Sequence, residues 1–146
     1  MPAFDKMAGD PATNWDLAAL QGAGAILSSA GDLAAFGMAN FDSTNKSLAL
    51  QRKATFSISD SRNVALGWFI EQQHDGHQWH MHNGGTGGYR SSMILDESNK
   101  RGIVILSNIS AGHKFADDID TLAKQLLKFR LQAESMNLSS SLRQSH

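Results

Sequence analysis

The feature that most constrains the fold of this sequence is a cluster of four glycines within residues 84–88. Strand-forming residues lie on both sides of it, over Gln78–His82 before the cluster and Tyr89–Leu95 after it. Glycine has no Cβ, so such a segment can turn sharply and a ligand can approach its backbone closely. Glycine loops that bind phosphate lead directly into a helix, whereas a strand follows here, which argues against nucleotide binding. The cluster predicts two strands joined by a glycine loop.

The spacing of apolar residues predicts the other elements. Val64–Ile70 is an apolar run typical of a strand, and Gly102–Leu106 is expected to pair with Tyr89–Leu95 through the polar turn Asp96–Arg101. In Gln78–His82, Trp79 and Met81 are expected on one face of the strand, opposite His80 and His82. Ser29 and Asp32 have the spacing of a capping box before a helix. The helical segments are Asp32–Phe41, a weaker Lys46–Lys53, and an amphipathic Asp117–Phe129.

This order of elements predicts an α+β fold in which helices flank an antiparallel sheet of three to four strands. The length of 146 residues fits one domain. We assign residues 14–131 to that domain, residues 1–13 to an irregular lead-in, and residues 132–146 to a polar, frayed tail.

Composition excludes several function classes. Thirteen Lys and Arg against fourteen Asp and Glu give a net charge of −1, so we expect no nucleic-acid partner. No apolar run approaches the ~20 residues that cross a bilayer, so we expect no membrane partner. The chain has no cysteine, which excludes disulfides and thiolate metal sites. Residues 1–25 lack the pattern of a secretory signal, and the cellular location stays open.

The segment His82-Asn83-Gly84-Gly85-Thr86-Gly87-Gly88-Tyr89-Arg90-Ser91 resembles the third active-site motif of the β-lactamase-related serine hydrolases. That family includes class C β-lactamases, DD-peptidases and esterases, and its members are often exported. Further segments are similar to the family in the same order between Asn14 and Leu127. They are Trp15-Asp16-Leu17, Gly22-Ala23-Gly24-Ala25, Ser28-Ser29-Ala30-Gly31-Asp32-Leu33, Leu66-Gly67-Trp68, and Gly102 to Asn108.

The resemblance implies roles for particular residues. Gly85 would donate its backbone N–H to the oxyanion that forms on an attacked carbonyl. His82 stands where the family commonly has Lys, directed at the proton network of the nucleophile or at an anionic group of the substrate. Asn83 would line the same edge, and Asn108 would help to bind a substrate carboxylate. The remaining candidate substrate-binding residues are Gly84 and Thr86, and no cofactor is implied.

The other two family motifs are missing at their expected places upstream of Trp15. The single tyrosine, Tyr89, already belongs to the third motif, and the one Ser-x-x-Lys string runs from Ser43 to Lys46 in a polar stretch. The sequence therefore resembles the C-terminal half of the fold. Strand Gly102–Leu106 would then have an open edge, and we expect a partner there, either a second copy or a complementing N-terminal half.

Three functions remain open. The first is half of a serine hydrolase acting on a small acyl substrate (a β-lactam, an ester or a D-peptide), inactive without its other half. The second is a non-catalytic module that binds a ligand or a protein. The third is an independent small hydrolase that uses His82 with Ser43 or with another hydroxyl. A zinc site at His80 and His82 is a further alternative, ranked below a hydrolase pocket. These two residues share a strand face, and His74 and His77 lie close to them in the sequence.

Overall fold

The computed structural model describes residues 3–4 and 10–143. It contains a short 3₁₀ helix, Ala18–Ala23, and the following helices and strands in chain order. They are β1 (Ala3–Phe4), β2 (Pro11–Ala12), α1 (Ala30–Asn40), α2 (Lys46–Arg52), β3 (Phe56–Ser59), β4 (Arg62–Val64), β5 (Phe69–Gln72), β6 (Gln78–Gly85), β7 (Arg90–Asp96), β8 (Arg101–Ser107) and α3 (Asp118–Arg143).

The main sheet is antiparallel and has six strands in the order β3-β4-β5-β6-β7-β8, so each strand lies beside its neighbour in the chain. The α+β class and the β7–β8 hairpin are thereby confirmed, but the expected three to four strands were too few. One reason is that Val64–Ile70 is not a single strand. It folds back between β4 and β5, where Ala65 N–H donates to Trp68 O at 2.8 Å and Gly67 takes a φ of +84°. A left-handed glycine at that point converts an apolar run into a hairpin turn.

Two apolar clusters cover the two faces of the sheet. Met93 and Leu95 of β7 belong to one cluster, with Trp68 and Ile70, and α1 packs over them through Gly37. Ile94, between them in sequence, belongs to the other cluster, whose other buried members are Trp79, Met81, Ala123 and Leu127. The alternation of side chains along β7 therefore places α1 on one face and α3 on the other.

Helices α1 and α2 begin at side-chain caps. Ser29 and Asp32 form the capping box predicted for α1, and Asn45 accepts a hydrogen bond from Leu48 N–H at the start of α2. At the end of α2, Arg52 is 6% exposed and binds both carboxylate oxygens of Glu97 at 3.0 and 3.2 Å. It also donates to Asn40 of α1 at 2.9 Å, so one guanidinium ties both helices to the end of the β7 strand.

Both ends of the chain differ from the prediction. β1 and β2 pair within the lead-in that we expected to be irregular, and residues 1–2 and 5–9 of that lead-in lie outside the described residues. Helix α3 starts one residue after the predicted Asp117 and continues to Arg143, through most of the stretch that we assigned to a frayed tail. Residues 144–146 of that tail also lie outside the description. In the described part, no helix is both long and apolar enough to span a membrane.

Candidate active site

The candidate site lies where β6 extends beyond its neighbour β5. The two strands pair from Gln72 opposite Gln78 to Phe69 opposite Met81, and there β5 begins. β6 continues for four more residues, paired only with β7 on its other side, as far as Gly85 opposite Arg90. Among the described residues, one edge of the segment 82–85 therefore pairs with no strand, and we call it the open edge.

Hydrogen bonding in the hairpin directs the Gly85 N–H toward this open edge. Thr86 N–H donates to Tyr89 O at 2.9 Å, which makes Thr86 and Tyr89 a hydrogen-bonded pair. Hydrogen-bonded and non-hydrogen-bonded pairs alternate in an antiparallel ladder, so the next pair, Gly85 and Arg90, points its N–H groups outward. On β6, an outward N–H points to the edge of the segment 82–85 that β5 does not reach. This geometry leaves the Gly85 N–H able to donate to a ligand.

Two glycines let the walls of the site approach the loop. A Cβ on Gly85 would collide with the Cβ of Ala111, and a Cβ on Gly87 would lie 2.5 Å from the indole Nε1 of Trp15. Between these walls opens a cavity of about 570 Å³. Its lining residues carry no charge; they are Pro11, Ala12, Thr13, Trp15, Thr86, Gly87, Ser110, Ala111 and Gly112.

His82 lies at the first position beyond the start of β5 and is exposed. It pairs with Met93 in the register, which places it on the α1 side of the sheet by alternation. Its ring centroid is 6.2 Å from that of Phe69, and the guanidinium of Arg62 lies 4.6 Å from the same Phe69 ring. The imidazole is thus reachable from solvent at the open edge.

Asn83 points to the other face, toward α3. Its Nδ2 donates to Asp120 Oδ2 at 2.7 Å, and the same oxygen accepts from Arg90 Nη2 at 2.8 Å. The structure therefore engages the Asn83 side chain with α3, whereas the His82 ring lies beside Phe69 at the open edge. Sequence reasoning gave Asp120 no role beyond the acidic start of a helix, because its two partners lie 37 and 30 residues away in the chain.

The remaining predicted site residues surround the loop. Gly84 pairs with Ser91, and Thr86 lines the cavity while its carbonyl accepts from Ala111 N–H at 3.1 Å. Asn108 is half-buried in the bend directly after β8, outside the set of residues that line the cavity. The structure thus brings Gly85 and Thr86 together with Trp15 and Ala111; nothing in the sequence marked Ala111 as a wall residue.

His80 has an environment unlike that of His82. It is 4% exposed, its ring stands edge-on to Trp68, and its Nε2 is 3.1 Å from Arg52 O. Burial lowers the pKa of His80, an effect that the Arg52 guanidinium adds to and that the Arg52 carbonyl and Glu97 oppose. Among the described residues, no group of three or more His, Asp or Glu side chains is placed to hold a metal ion.

Ser43 lies outside any helix. It is exposed in the turn between α1 and α2, and Asn45 caps the helix that begins at Lys46. A Ser-x-x-Lys pair brings its hydroxyl and amine together when both residues share one helical turn. That condition is not met here, so the geometry gives no support to Ser43 as a nucleophile.

Comparison with known protein families identifies most of the chain. The family model for Beta-lactamase matches residues 2–128, which include the whole sheet, the glycine loop and the first turns of α3. The search of curated proteins finds no match.

Proposed function

The chain belongs to the β-lactamase family, whose fold is that of serine hydrolases, and we propose that it forms the oxyanion-binding wall of an acyl-transfer site. The substrate is a β-lactam, a carboxyl ester or a D-amino-acid peptide, and the nucleophile comes from a segment outside these 146 residues or from a second polypeptide. The observation that carries the proposal is the Gly85 N–H, which points to the open edge of β6. One such donor contributes about 2.7–4 kcal/mol to stabilisation of the transition state.

His82 is the second element of the proposed wall. It lies just beyond the start of β5 and is exposed, so an incoming nucleophile or an anionic substrate group can reach its imidazole. Near neutral pH an imidazole can donate, accept or carry a proton, which suits a proton network beside a serine hydroxyl. The substrate carbonyl would lie over Gly84 and Gly85, with one substituent directed past Thr86 into the uncharged cavity. Asn108 is kept as a weaker candidate for binding a substrate carboxylate.

The open edge of β8 supports the need for a complementing half. β8 ends the sheet, and its residues from Gly102 to Leu106 carry no charge. Exposed, uncharged strand edges invite pairing with another strand. On α3, the side opposite Asp120 and Lys124 is exposed and apolar. It consists of Leu122, Leu126 and Phe129, which are 46%, 40% and 66% exposed. An incoming strand and amphipathic helix would cover both.

An N-terminal half fits this surface better than a second copy. α1 packs over β8 on the face opposite α3. Antiparallel pairing of two β8 strands would place two α1 helices side by side over one face of the joined sheet. A strand that carries no helix on that face needs no such accommodation.

The test of function is acylation with and without the missing half. The chain alone is expected to stay unlabelled by a fluorescent penicillin and by a p-nitrophenyl ester. An N-terminal half of a family hydrolase, with its Ser-x-x-Lys and Tyr-x-Asn motifs, is then added as a separate chain. We expect labelling of that half at its serine, and a Ser→Ala version of it is the control. Labelling of the chain alone would disprove the half-site proposal, and mass mapping would identify the nucleophile.

The test of the partner surface uses a matched pair of charged variants. Leu106→Lys places a charge on the β8 edge, and Ile58→Lys places one on the opposite edge strand β3, where Ile58 is 51% exposed. We expect Leu106→Lys to weaken binding of the N-terminal half at least about tenfold and Ile58→Lys to leave it unchanged. A dimer of the chain alone in light scattering that only Leu106→Lys dissociates would replace the half with a second copy.

A second candidate is a non-catalytic module that binds a neutral ligand. The uncharged cavity between Trp15 and Gly87 favours it, since residues of this chain form that cavity without the proposed N-terminal half. If the added half binds but no acylation follows with any of the three substrate classes, this candidate replaces the first.

A further inference from the structure

One carboxylate oxygen joins both strands of the glycine loop to α3. Asp120 Oδ2 accepts from Asn83 Nδ2 at 2.7 Å and from Arg90 Nη2 at 2.8 Å. Asn83 precedes Gly85 by two residues on β6, and Arg90 is the partner of Gly85 across the hairpin on β7. The two residues that Asp120 holds therefore flank Gly85 on both sides.

The arrangement is shielded from water. The side chains of Arg90 and Asp120 are 11% and 18% exposed. Arg90 also donates through Nε to Ala116 O at 3.3 Å, which fixes the plane of its guanidinium against the start of α3. Charge-assisted hydrogen bonds with little solvent access constrain geometry more than exposed pairs do. The base of the loop is therefore held at a fixed distance from α3.

The contacts of Asp120 with Asn83 and Arg90, which we call the clamp, do more than stabilise the fold. Asp120 Oδ1 is buried without a hydrogen-bond partner in the described part of the chain, and so is the hydroxyl of Ser92, which pairs with Asn83 across the ladder. Unsatisfied buried polar atoms cost stability. An apolar residue at this position would remove that cost but would leave the Asn83 amide and the Arg90 guanidinium without this acceptor, so the carboxylate is best explained as the shared partner that fixes the positions of both.

A second ion pair on the same helix provides a comparison. Lys124 Nζ binds Glu71 at 2.8 Å, with side chains 33% and 20% exposed, and ties α3 to β5 away from the loop. Both pairs fasten α3 to the sheet, but only the Asp120 pair contacts residues next to Gly85. Removing Glu71 therefore reports on helix attachment alone.

We propose that Asp120 is a positioning residue that sets the direction of the Gly85 N–H through Asn83 and Arg90. Its consequence for catalysis rests on the proposed function, but the clamp itself does not. Loss of the carboxylate removes the link between Asn83 and Arg90. Arg90 stays bonded to Ala116 O and to the exposed Asp117, each at 3.3 Å, so the β6 end of the loop becomes free to twist relative to β7. The Gly85 N–H then no longer points at one place on the open edge.

The experiment compares amide spectra and hydrogen exchange of the intact chain with those of Asp120→Ala, Asp120→Asn and Glu71→Ala. In Asp120→Ala we expect the Gly85 amide resonance to shift and the Thr86 amide, which is bonded to Tyr89 O, to exchange at least about tenfold faster. Asp120→Asn keeps one acceptor oxygen and should restore part of the change. Glu71→Ala should leave both amides unaltered.

The proposal is overturned if Asp120→Ala leaves the Gly85 shift and the Thr86 exchange rate unaltered, or if Glu71→Ala changes them equally. If Asp120→Ala fails to fold, the same readouts on Asp120→Asn decide, with the same two criteria. In the complemented enzyme, Asp120→Asn is expected to lower kcat for acylation with little change in KM. These spectra need no nucleophile, so a failure of the clamp and a failure of the proposed function are seen separately.

Discussion

The two halves of strand β6 belong to one continuous strand but have opposite environments. Trp79, His80 and Met81 are 3%, 4% and 5% exposed, between helices on both faces and strands on both edges. From His82 to Gly85 the strand keeps β7 but has lost β5, and both of those residues are exposed. The buried half anchors the hairpin, and the exposed half leaves its backbone and imidazole groups accessible from solvent.

This difference shows that the point at which the neighbouring strand β5 begins, and not the residue type, decides whether a histidine of β6 is buried or exposed. His80 and His82 share a face by alternation. The first is enclosed by Trp68 and the Arg52 backbone, while the second lies past the start of β5. Rigid support directly adjoining an exposed edge is the arrangement that a preorganised site requires.

Trp79→Ala is expected to have the largest effect on stability. The indole lies in the cluster with Ala123 and Leu127 of α3, and truncation of a buried aromatic costs about 3–5 kcal/mol. Trp15→Ala is the control, because Trp15 is 56% exposed and should cost under about 1 kcal/mol. Urea unfolding measures both. Equal losses would mean that the base of β6 is not the anchor.

Gly85→Ala is expected to come next. The added methyl group would collide with Ala111 Cβ, and overpacking of this kind costs about 1–3 kcal/mol. Ala111→Gly removes the obstacle, so the double variant should regain stability over Gly85→Ala in a double-mutant cycle. Gly22→Ala, at a position with open space around it, is the neutral control. Additive losses in the cycle would contradict the close packing of Ala111 on the loop.

His80 should make stability depend on pH. Because burial lowers its pKa in the folded state, the unfolded chain binds the proton first as pH falls below about 6.5. The contribution of neutral His80 to the free energy of unfolding is complete above that pH. It is lost as the pH falls toward the folded-state pKa, by at most about 1.4 kcal/mol per pH unit. Unfolding of the intact chain and of His80→Gln over a pH series measures it. His74→Gln, at an exposed residue, should keep the full slope; an unchanged slope in His80→Gln would refute the assignment.

Local signals in the sequence were enough for the glycine hairpin, the capped start of α1 and the amphipathic face of α3, because each depends on residues a few positions apart. They failed at Val64–Ile70, where the turn depends on one glycine with φ of +84° inside an apolar run. They also failed to separate His80 from His82, since nothing in β6 itself records where β5 begins.

The candidate site was predictable only in its β6 part. The contacts of Asp120 with Asn83 and Arg90, and of Ala111 with Gly85, join residues distant in the chain, so no motif reveals them. Asn83 was assigned to the same edge as His82, whereas the pleat of the strand directs it to α3. The family resemblance supplied candidate residues, but the face on which each one lies came from the register.

His82→Ala is expected to have the smallest effect on stability and so gives the sharpest contrast with Trp79→Ala. An exposed side chain without buried contacts changes the free energy of unfolding by less than about 0.5 kcal/mol. In the complemented enzyme the same change should reduce acylation by about 10²–10⁴-fold, the range for loss of a positioned proton-transfer group. Penicillin labelling rates and urea unfolding of one preparation test both halves of this prediction. Full activity in His82→Ala would mean that the exposed half of β6 contributes to acylation through the Gly85 N–H and not through His82. A large loss of stability would show that His82 belongs to the anchoring half.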